Sequence, residues 1–279
     1  MDEALADKTA TTYQRYYNKF SEFCEKLKLR PKGKGSAHSV ELWVAELSKC
    51  GLTYGTVQSH LSAVRHVSKR EGLDIDIQSD KIQLALKGLK RKTIHAPKKH
   101  AVSLSELALL QSKADVLPAH TSLMFRIMVS LAFFGFLRPS EYCITTEDHH
   151  LKFGDIKLAK SGKSCYLRLK SYKHSVKPAI IKIMGSWSKS DNVVSLLRTY
   201  LDRNSHQCKT APLFNISVAR FRSMLCRVAA EAGLKSLVTP HCFRHGGATW
   251  ASKQGWSTAR IQAHGRWRSS AYTSYVNSY

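Results

Sequence analysis

The sequence predicts a mainly α-helical protein with one small three-stranded antiparallel sheet, and three observations predict it. Apolar residues recur at i, i+3, i+4 and i+7 through most of the chain. Over a single stretch, 149–184, the period drops to two. A densely basic run near residue 90 separates a shorter helical part from a longer one. These features imply a helical module over 1–90, a basic interdomain linker over 91–102 and a larger domain over 103–279.

Residues 8–29 put Tyr13, Tyr17, Phe20, Cys24 and Leu27 on one face of a helix, with Arg15, Lys19, Lys26 and Lys28 opposite. The basic Pro/Gly segment from Arg30 to Gly35 ends it. Ser39 is the expected cap of a second helix running through Leu47, with Gly51 just beyond. Thr53 caps a third, with Val57, Leu61, Val64 and Val67 inward and His60, Arg65, Lys69 and Arg70 outward. A fourth runs from about Ser79 to Leu89. Four short helices make a compact module with one basic face suited to DNA. The run from Lys87 to His100 lacks a period and reads as a linker along a phosphate backbone, through Lys90, Arg91, Lys92, Lys98 and Lys99.

In the second domain, Ser103 or Ser105 starts a helix. Residues 121–134 are apolar nearly all round, the pattern of a helix sunk in a core. It stops at Gly135, followed by Phe136-Leu137-Arg138-Pro139-Ser140-Glu141. An arginine there is held by the core, a good position for a preorganised charge. Strands are expected over 150–158, 164–172 and 178–184, where Cys165, Leu167 and Leu169, then Ile181 and Ile183, alternate with polar neighbours. The second hairpin turn, 170–177, is basic. Helices follow over about 190–204 and 217–232, and the terminal segment is helical.

Charge bounds the function. The chain has 44 Lys+Arg against 20 Asp+Glu, a net +24 spread over both parts. Two modules facing a polyanion would carry such an excess, because each phosphate contact releases condensed counterions, so double-stranded DNA is the expected partner. Seven scattered cysteines without a CxxC read as reduced thiols, which argues against a disulfide frame or a zinc site. No apolar stretch reaches the roughly 18 residues of a membrane span, and the amino terminus is acidic and polar, so neither a span nor a signal peptide is expected. Cytosol or nucleus is the expected compartment.

The segment that can carry chemistry opens at Thr239, a natural N-cap, with Pro240 at N1. His241 and Arg244, at i and i+3, share a face where free N–H groups and the helix dipole favour an anion. Arg138 offers a second guanidinium, and two can stabilise the extra charge of a pentacoordinate phosphorane without a metal. Lys173, on the basic hairpin, suits protonation of a departing alkoxide. Trp267 can pack beside the phosphate and donate its indole N–H. A tyrosine downstream completes a covalent phosphoryl-transfer site. Tyr272, Tyr275 and Tyr279 also fit a packed terminal helix, and Trp250, Trp256 and Trp267 a core.

The ordered set Arg138, Lys173, His241-x-x-Arg244, Trp267 and Tyr275 resembles the tyrosine recombinases of the lambda-integrase type, over nearly the whole chain. The wording around Arg138, from His241 to Thr249 and from Gly265 to Tyr275 is similar to eukaryotic mobile-element recombinases of the DIRS and Crypton kinds. The resemblance implies a core-binding amino-terminal domain and a catalytic domain. It implies that Tyr275 attacks a phosphodiester to give a 3′-phosphotyrosyl link and a free 5′-hydroxyl. Arg138 and Arg244 would hold the nonbridging oxygens and Lys173 would protonate the leaving oxygen. His241 would assist proton transfer at the nucleophile, Trp267 would support the transition state and Glu141 would brace the site. Neither metal nor nucleotide cofactor is implied. The implied assembly is a homotetramer on two DNA sites, a dimer per site, in the nucleus.

The chain departs from that pattern in places. Trp267 and Tyr275 are eight residues apart where many members have nine, so Tyr272 and Tyr279 stay open as the nucleophile. Lys170 competes with Lys173, and His264 with Trp267, while His245 reads as structural. The chain ends four residues beyond Tyr275, where members commonly carry a segment that docks on a neighbour, so a shortened chain or a weaker tetramer is expected. The leading expectation is a site-specific recombinase or integrase of a mobile element. A domesticated, noncatalytic DNA-binding protein and a type IB topoisomerase are the alternatives.

Overall fold

The computed structural model describes residues 7–30, 36–72, 77, 79–93, 100–146, 148–172, 177–187, 192–234, 238–267 and 273. The chain divides into two compact units, Met1–Lys98 and Lys99–Tyr279.

The amino-terminal unit holds α1 (Asp7–Lys26), α2 (Ser36–Lys49), α3 (Tyr54–Arg70) and α4 (Asp80–Thr93). Their apolar stripes, including Phe20 of α1, Val44 of α2, Leu61 of α3 and Ile82 of α4, close into one core. Thr53 caps α3, its side chain accepting from the Thr56 N–H. Four details differ from the sequence reading. Ser39 lies inside α2 and is buried, its hydroxyl donating to the Arg30 carbonyl at 2.7 Å, so it does not cap the helix. Helix α1 stops at Lys26, because Lys28 turns left-handed at φ 53°, and Leu27 is left exposed. His60 points inward, its ring stacked on Tyr16 at 3.8 Å and tilted against Trp43. A neutral imidazole suits that place, and burial, with Lys19 and Arg15 nearby, lowers the His60 pKa. Finally, α4 runs on to Thr93, so Lys90, Arg91 and Lys92 form its last turn instead of belonging to a linker. Cations there complement the negative end of the helix dipole. Lys98 and Lys99 lie outside the described residues.

The second unit holds α5 (Leu104–Ser112), α6 (Ala119–Phe134), α7 (Pro139–Tyr142), β1 (Ile156–Leu158), β2 (Ser164–Leu169), β3 (Ala179–Met184), α8 (Val193–Arg203), α9 (Val218–Glu231), α10 (Pro240–Lys253) and α11 (Thr258–Gly265). Ser103, not Ser105, caps α5: its hydroxyl accepts from the Glu106 N–H at 3.1 Å, and the Glu106 carboxylate accepts from the Ser103 N–H at 2.7 Å. The antiparallel sheet has the order β1-β2-β3, with Cys165 opposite Ile183 and Leu167 opposite Ile181 on its buried face. Its first strand is shorter than 150–158 because Phe153–Asp155 forms a single 3₁₀ turn. The Asp155 carboxylate stabilises that turn by accepting from the Lys152 N–H at 3.1 Å. Strand β2 ends at Leu169, short of Tyr172. Among the described residues, no helix is long and apolar enough to cross a membrane.

Helix α6 is the centre of this unit, buried from Ile127 through Phe134. Helix α10 lies against it through Gly246 and Gly247. A Cβ on Gly246 would overlap the Val102 carbonyl, and one on Gly247 the Phe133 carbonyl and the Phe136 ring. Gly247 therefore lets α10 rest on the backbone of α6, and Gly246 lets it rest on the Val102 segment ahead of α5, which brings Arg244 to the end of α6.

Candidate active site

The site is built where α6 ends. Gly135 donates to the Leu131 carbonyl and Leu137 to that of Ala132, and between them Phe136 adopts φ 46°. That reversal is the left-handed helix ending usually made by glycine. Phenylalanine bears the steric cost because its ring is fully buried, near the rings of Trp256, His264 and Trp267. The turn leaves the Phe136 carbonyl as an acceptor for two arginines and delivers Arg138 to the start of α7.

Arg138 is held by Glu141. Its backbone N–H donates to Glu141 Oε2 at 2.7 Å, and its Nη1 donates to Oε1 at 3.0 Å. The Glu141 side chain is 1% exposed and that of Arg138 18%, so the arginine keeps an opening to solvent while its partner does not. Arg244 sits one turn into α10 and is buried. Its Nη1 donates to the Phe136 carbonyl and its Nη2 to that of Gly265 at 2.5 Å, while its Cζ lies 4.2 Å from the centre of the Trp267 ring. Trp267 itself is half-buried and folds back against Gly265, where a Cβ would overlap its six-membered ring. His241 stands exposed in the first turn of α10, at the open end of the same helix.

A third arginine joins these two, one to which the sequence reading gave no role. Arg266 has a left-handed backbone, φ 57° and ψ 40°, and ends α11. Its Nη2 donates to Glu141 Oε2 at 2.7 Å and to the Phe136 carbonyl at 3.1 Å. Its Nη1 donates to the carbonyls of His264 at 2.8 Å and Gly135 at 3.3 Å. Burial pushes the Glu141 carboxyl up, but Arg266, Arg244, the Arg138 N–H and the Arg138 guanidinium outweigh it and hold it below the usual range. Three guanidiniums thus surround one carboxylate, an excess of two positive charges at a largely buried point. Such a cluster is a seat for an anion with more than one charge.

His264 belongs to the scaffold. Burial, opposed by its hydrogen bond to Phe134 and reinforced by Arg266, Arg260 and Arg244, lowers its pKa to about 4. The ring is therefore neutral, and its Nε2–H donates to the Phe134 carbonyl at 2.8 Å. Trp267 lies beside the Arg244 guanidinium, while His264 faces the Phe134 carbonyl. His245 is likewise buried in α10. On the hairpin, the Lys170 ammonium lies 3.7 Å from the buried Asp155 carboxylate. Tyr172, further along the same arm, has its ring centre 5.9 Å from Arg266 Cζ, so the arm leads to the arginine cluster. Lys173, Tyr272, Tyr275 and Tyr279 lie outside the described residues. In the amino-terminal unit, Arg65 and Lys69 on α3 and Lys90, Arg91 and Lys92 on α4 are all exposed. Among the described residues, no group of three or more His, Cys, Asp or Glu is arranged to hold a metal ion.

Comparison with known proteins agrees with this geometry. Residues 106–279 match the phage integrase family. No curated protein sequence matches the chain significantly. Among solved structures, the chain is similar to a lambda integrase dimer bound to a COC′ core site, with TM-score 0.65 and 14% identity over 97% of this chain and 91% of that one. It is also similar to the Tn1549 transposon integrase in complex with transposon right end DNA, with TM-score 0.64 and 15% identity over 98% and 89%. A third likeness is to the XerH site-specific recombinase bound to a palindromic difH substrate in a post-cleavage complex, with TM-score 0.62 and 16% identity over 86% and 67%. At these identities the likenesses speak for the fold, and the family match covers most of the chain. The chain belongs to the phage integrase family, the tyrosine recombinases, and is a DNA recombinase of that class.

Proposed function

We propose that the protein is the site-specific recombinase or integrase of a mobile element, cutting and rejoining double-stranded DNA through a 3′-phosphotyrosyl intermediate. The observation that carries the reading is the cluster of Arg138, Arg244 and Arg266 around Glu141, whose two surplus charges match a phosphorane carrying two negative charges. In this reading the Tyr275 phenol oxygen attacks phosphorus as its proton leaves with help from His241. The bond to the 5′-oxygen breaks, and Lys173 protonates that oxygen. Arg138 and Arg244 bind the nonbridging oxygens, and Trp267 supports the transition state. A partner strand's 5′-hydroxyl then attacks the phosphotyrosine and releases the enzyme. The energy of the broken bond stays in the covalent link, so the cycle needs no nucleotide. The amino-terminal unit acts as the core-binding domain, with Arg65, Lys69, Lys90, Arg91, Lys92, Lys98 and Lys99 on phosphates. The working assembly is a homotetramer on two sites, and the wording around Arg138 and His241 supports a DIRS- or Crypton-like element.

The test is incubation with nicked suicide duplexes carrying the element's terminal sequences, without Mg²⁺. A covalent adduct that disappears in Tyr275→Phe is the expected result. An adduct that survives this change moves the nucleophile to Tyr272 or Tyr279. Tight DNA binding with no adduct points instead to a domesticated binding protein.

A further inference from the structure

We propose that Arg266 is a positioning residue of this site, fixing the guanidiniums of Arg138 and Arg244 relative to each other. The proposal rests on the recombinase reading and concerns how the chain builds its phosphate seat. Arg138 and Arg244 come from sequence positions more than a hundred residues apart, on different elements. Each shares an acceptor with Arg266. Glu141 accepts from the Arg138 guanidinium through Oε1, and through Oε2 from both the Arg138 N–H and Arg266. The Phe136 carbonyl accepts from both Arg244 and Arg266. Arg266 is thus the node through which the two halves of the clamp are tied, and its bonds to Gly135 and His264 anchor that node to the ends of α6 and α11.

Two further facts give the side chain a role beyond ending a helix. The backbone at Arg266 is left-handed, a conformation glycine adopts freely and arginine adopts at a steric cost. If the position served only to turn the chain, glycine would serve better. The Arg266 side chain is also only 3% exposed, and its charge is paired directly with the Glu141 carboxylate, which gives it a role through its neighbours. Lysine cannot replace it, since a single ammonium does not reproduce a planar fork reaching two sets of acceptors. The next residue, Trp267, packs on Arg244, so a displaced Arg266 also loosens that contact.

The experiment measures full-length Arg266→Met and Arg266→Lys beside wild type. Equilibrium DNA affinity and the single-turnover rate of adduct formation on the suicide duplex are read separately, with a thermal melt as a check on folding. A misplacement of the clamp by about 1 Å costs about 100-fold in rate. We expect that loss in Arg266→Met, a smaller one in Arg266→Lys, and DNA affinity changed by less than about threefold in both, because phosphate contacts along the duplex remain. Adding Glu141→Gln to Arg266→Met should slow cleavage little further, since groups acting as one unit are not additive. A wild-type cleavage rate in Arg266→Met overturns the proposal. So does a parallel loss of affinity, rate and folded structure that Arg266→Lys fully restores, which would make Arg266 a residue of general stability. If wild type itself forms no adduct, the recombinase reading fails and this proposal falls with it. A wild type that reacts beside an unaffected variant sinks the Arg266 proposal alone.

Discussion

Replacing Gly247 by alanine is the most direct probe of how the site is assembled. The added methyl group would overlap the Phe133 carbonyl and press on the Phe136 ring. The first obstacle is helix backbone and cannot rotate away, so α10 must lift from α6. Overpacking of this sort costs about 1–3 kcal/mol, and a rigid obstacle puts it near the upper end. Against this, alanine is favoured over glycine inside a helix by about 1 kcal/mol. The net destabilisation is therefore about 2 kcal/mol, which for a unit of this size lowers Tm by about 4–8 °C. Calorimetry of the full chain, following the transition of the carboxy-terminal unit, measures it. Gly88→Ala is the control: nothing lies within 4 Å of its would-be Cβ in α4, so it should stabilise its own unit by about 1 kcal/mol. Gly247→Ala should also slow adduct formation, since Arg244 rides on the same helix. A Gly247→Ala protein melting at or above the wild-type temperature would refute the close crossing of α6 and α10.

Two pH-linked outcomes follow from the same site. His264 has its folded pKa lowered to about 4 from the ordinary 6.5, so the unfolded chain binds the proton between those values and the folded protein does not. The stability it contributes is complete above about pH 6.5 and is lost as pH falls towards 4, by about 3 kcal/mol, and His264→Gln should flatten that slope in urea unfolding. Glu141, held below its ordinary range, contributes stability that is present above about pH 4.3 and lost in more acid solution. Glu141→Gln leaves Arg138 and Arg266 without their countercharge and should cost about 3–5 kcal/mol in urea unfolding at pH 7. A cost below about 1 kcal/mol would mean that the carboxylate is not the hub of the cluster.

Features written in neighbouring residues were legible in advance. The helix cap Thr53, the inward stripe of α3, the buried α6 and the alternation of β2 and β3 all depend on side chains within a few positions of one another. So were the two places that position Arg138 and Arg244, the close of the core helix at Gly135 and the Thr239-Pro240 start of α10. The run through Lys90, Arg91 and Lys92 was less legible, since a helix turn without an apolar stripe shows no period. His60 was misplaced because an imidazole suits either a solvated face or an aromatic stack, and Tyr16 and Trp43 decide which.

By itself, the sequence determined the order of elements, the basic character of both units and the places of two arginines, one at the start of α7 and one a turn into α10. It carried no local sign of Arg266. Its acceptors on Glu141, Phe136 and Gly135 lie 125 to 131 residues earlier in the chain, and no periodicity links positions that far apart. Only the tertiary structure decided that Gly247 admits α10 onto α6, that Gly246 admits it onto the Val102 segment, and that the Phe136 carbonyl is shared by two guanidiniums. The physical reason is that a cap is satisfied within its own turn of helix. A buried charge is satisfied only by partners that the closed fold brings to it.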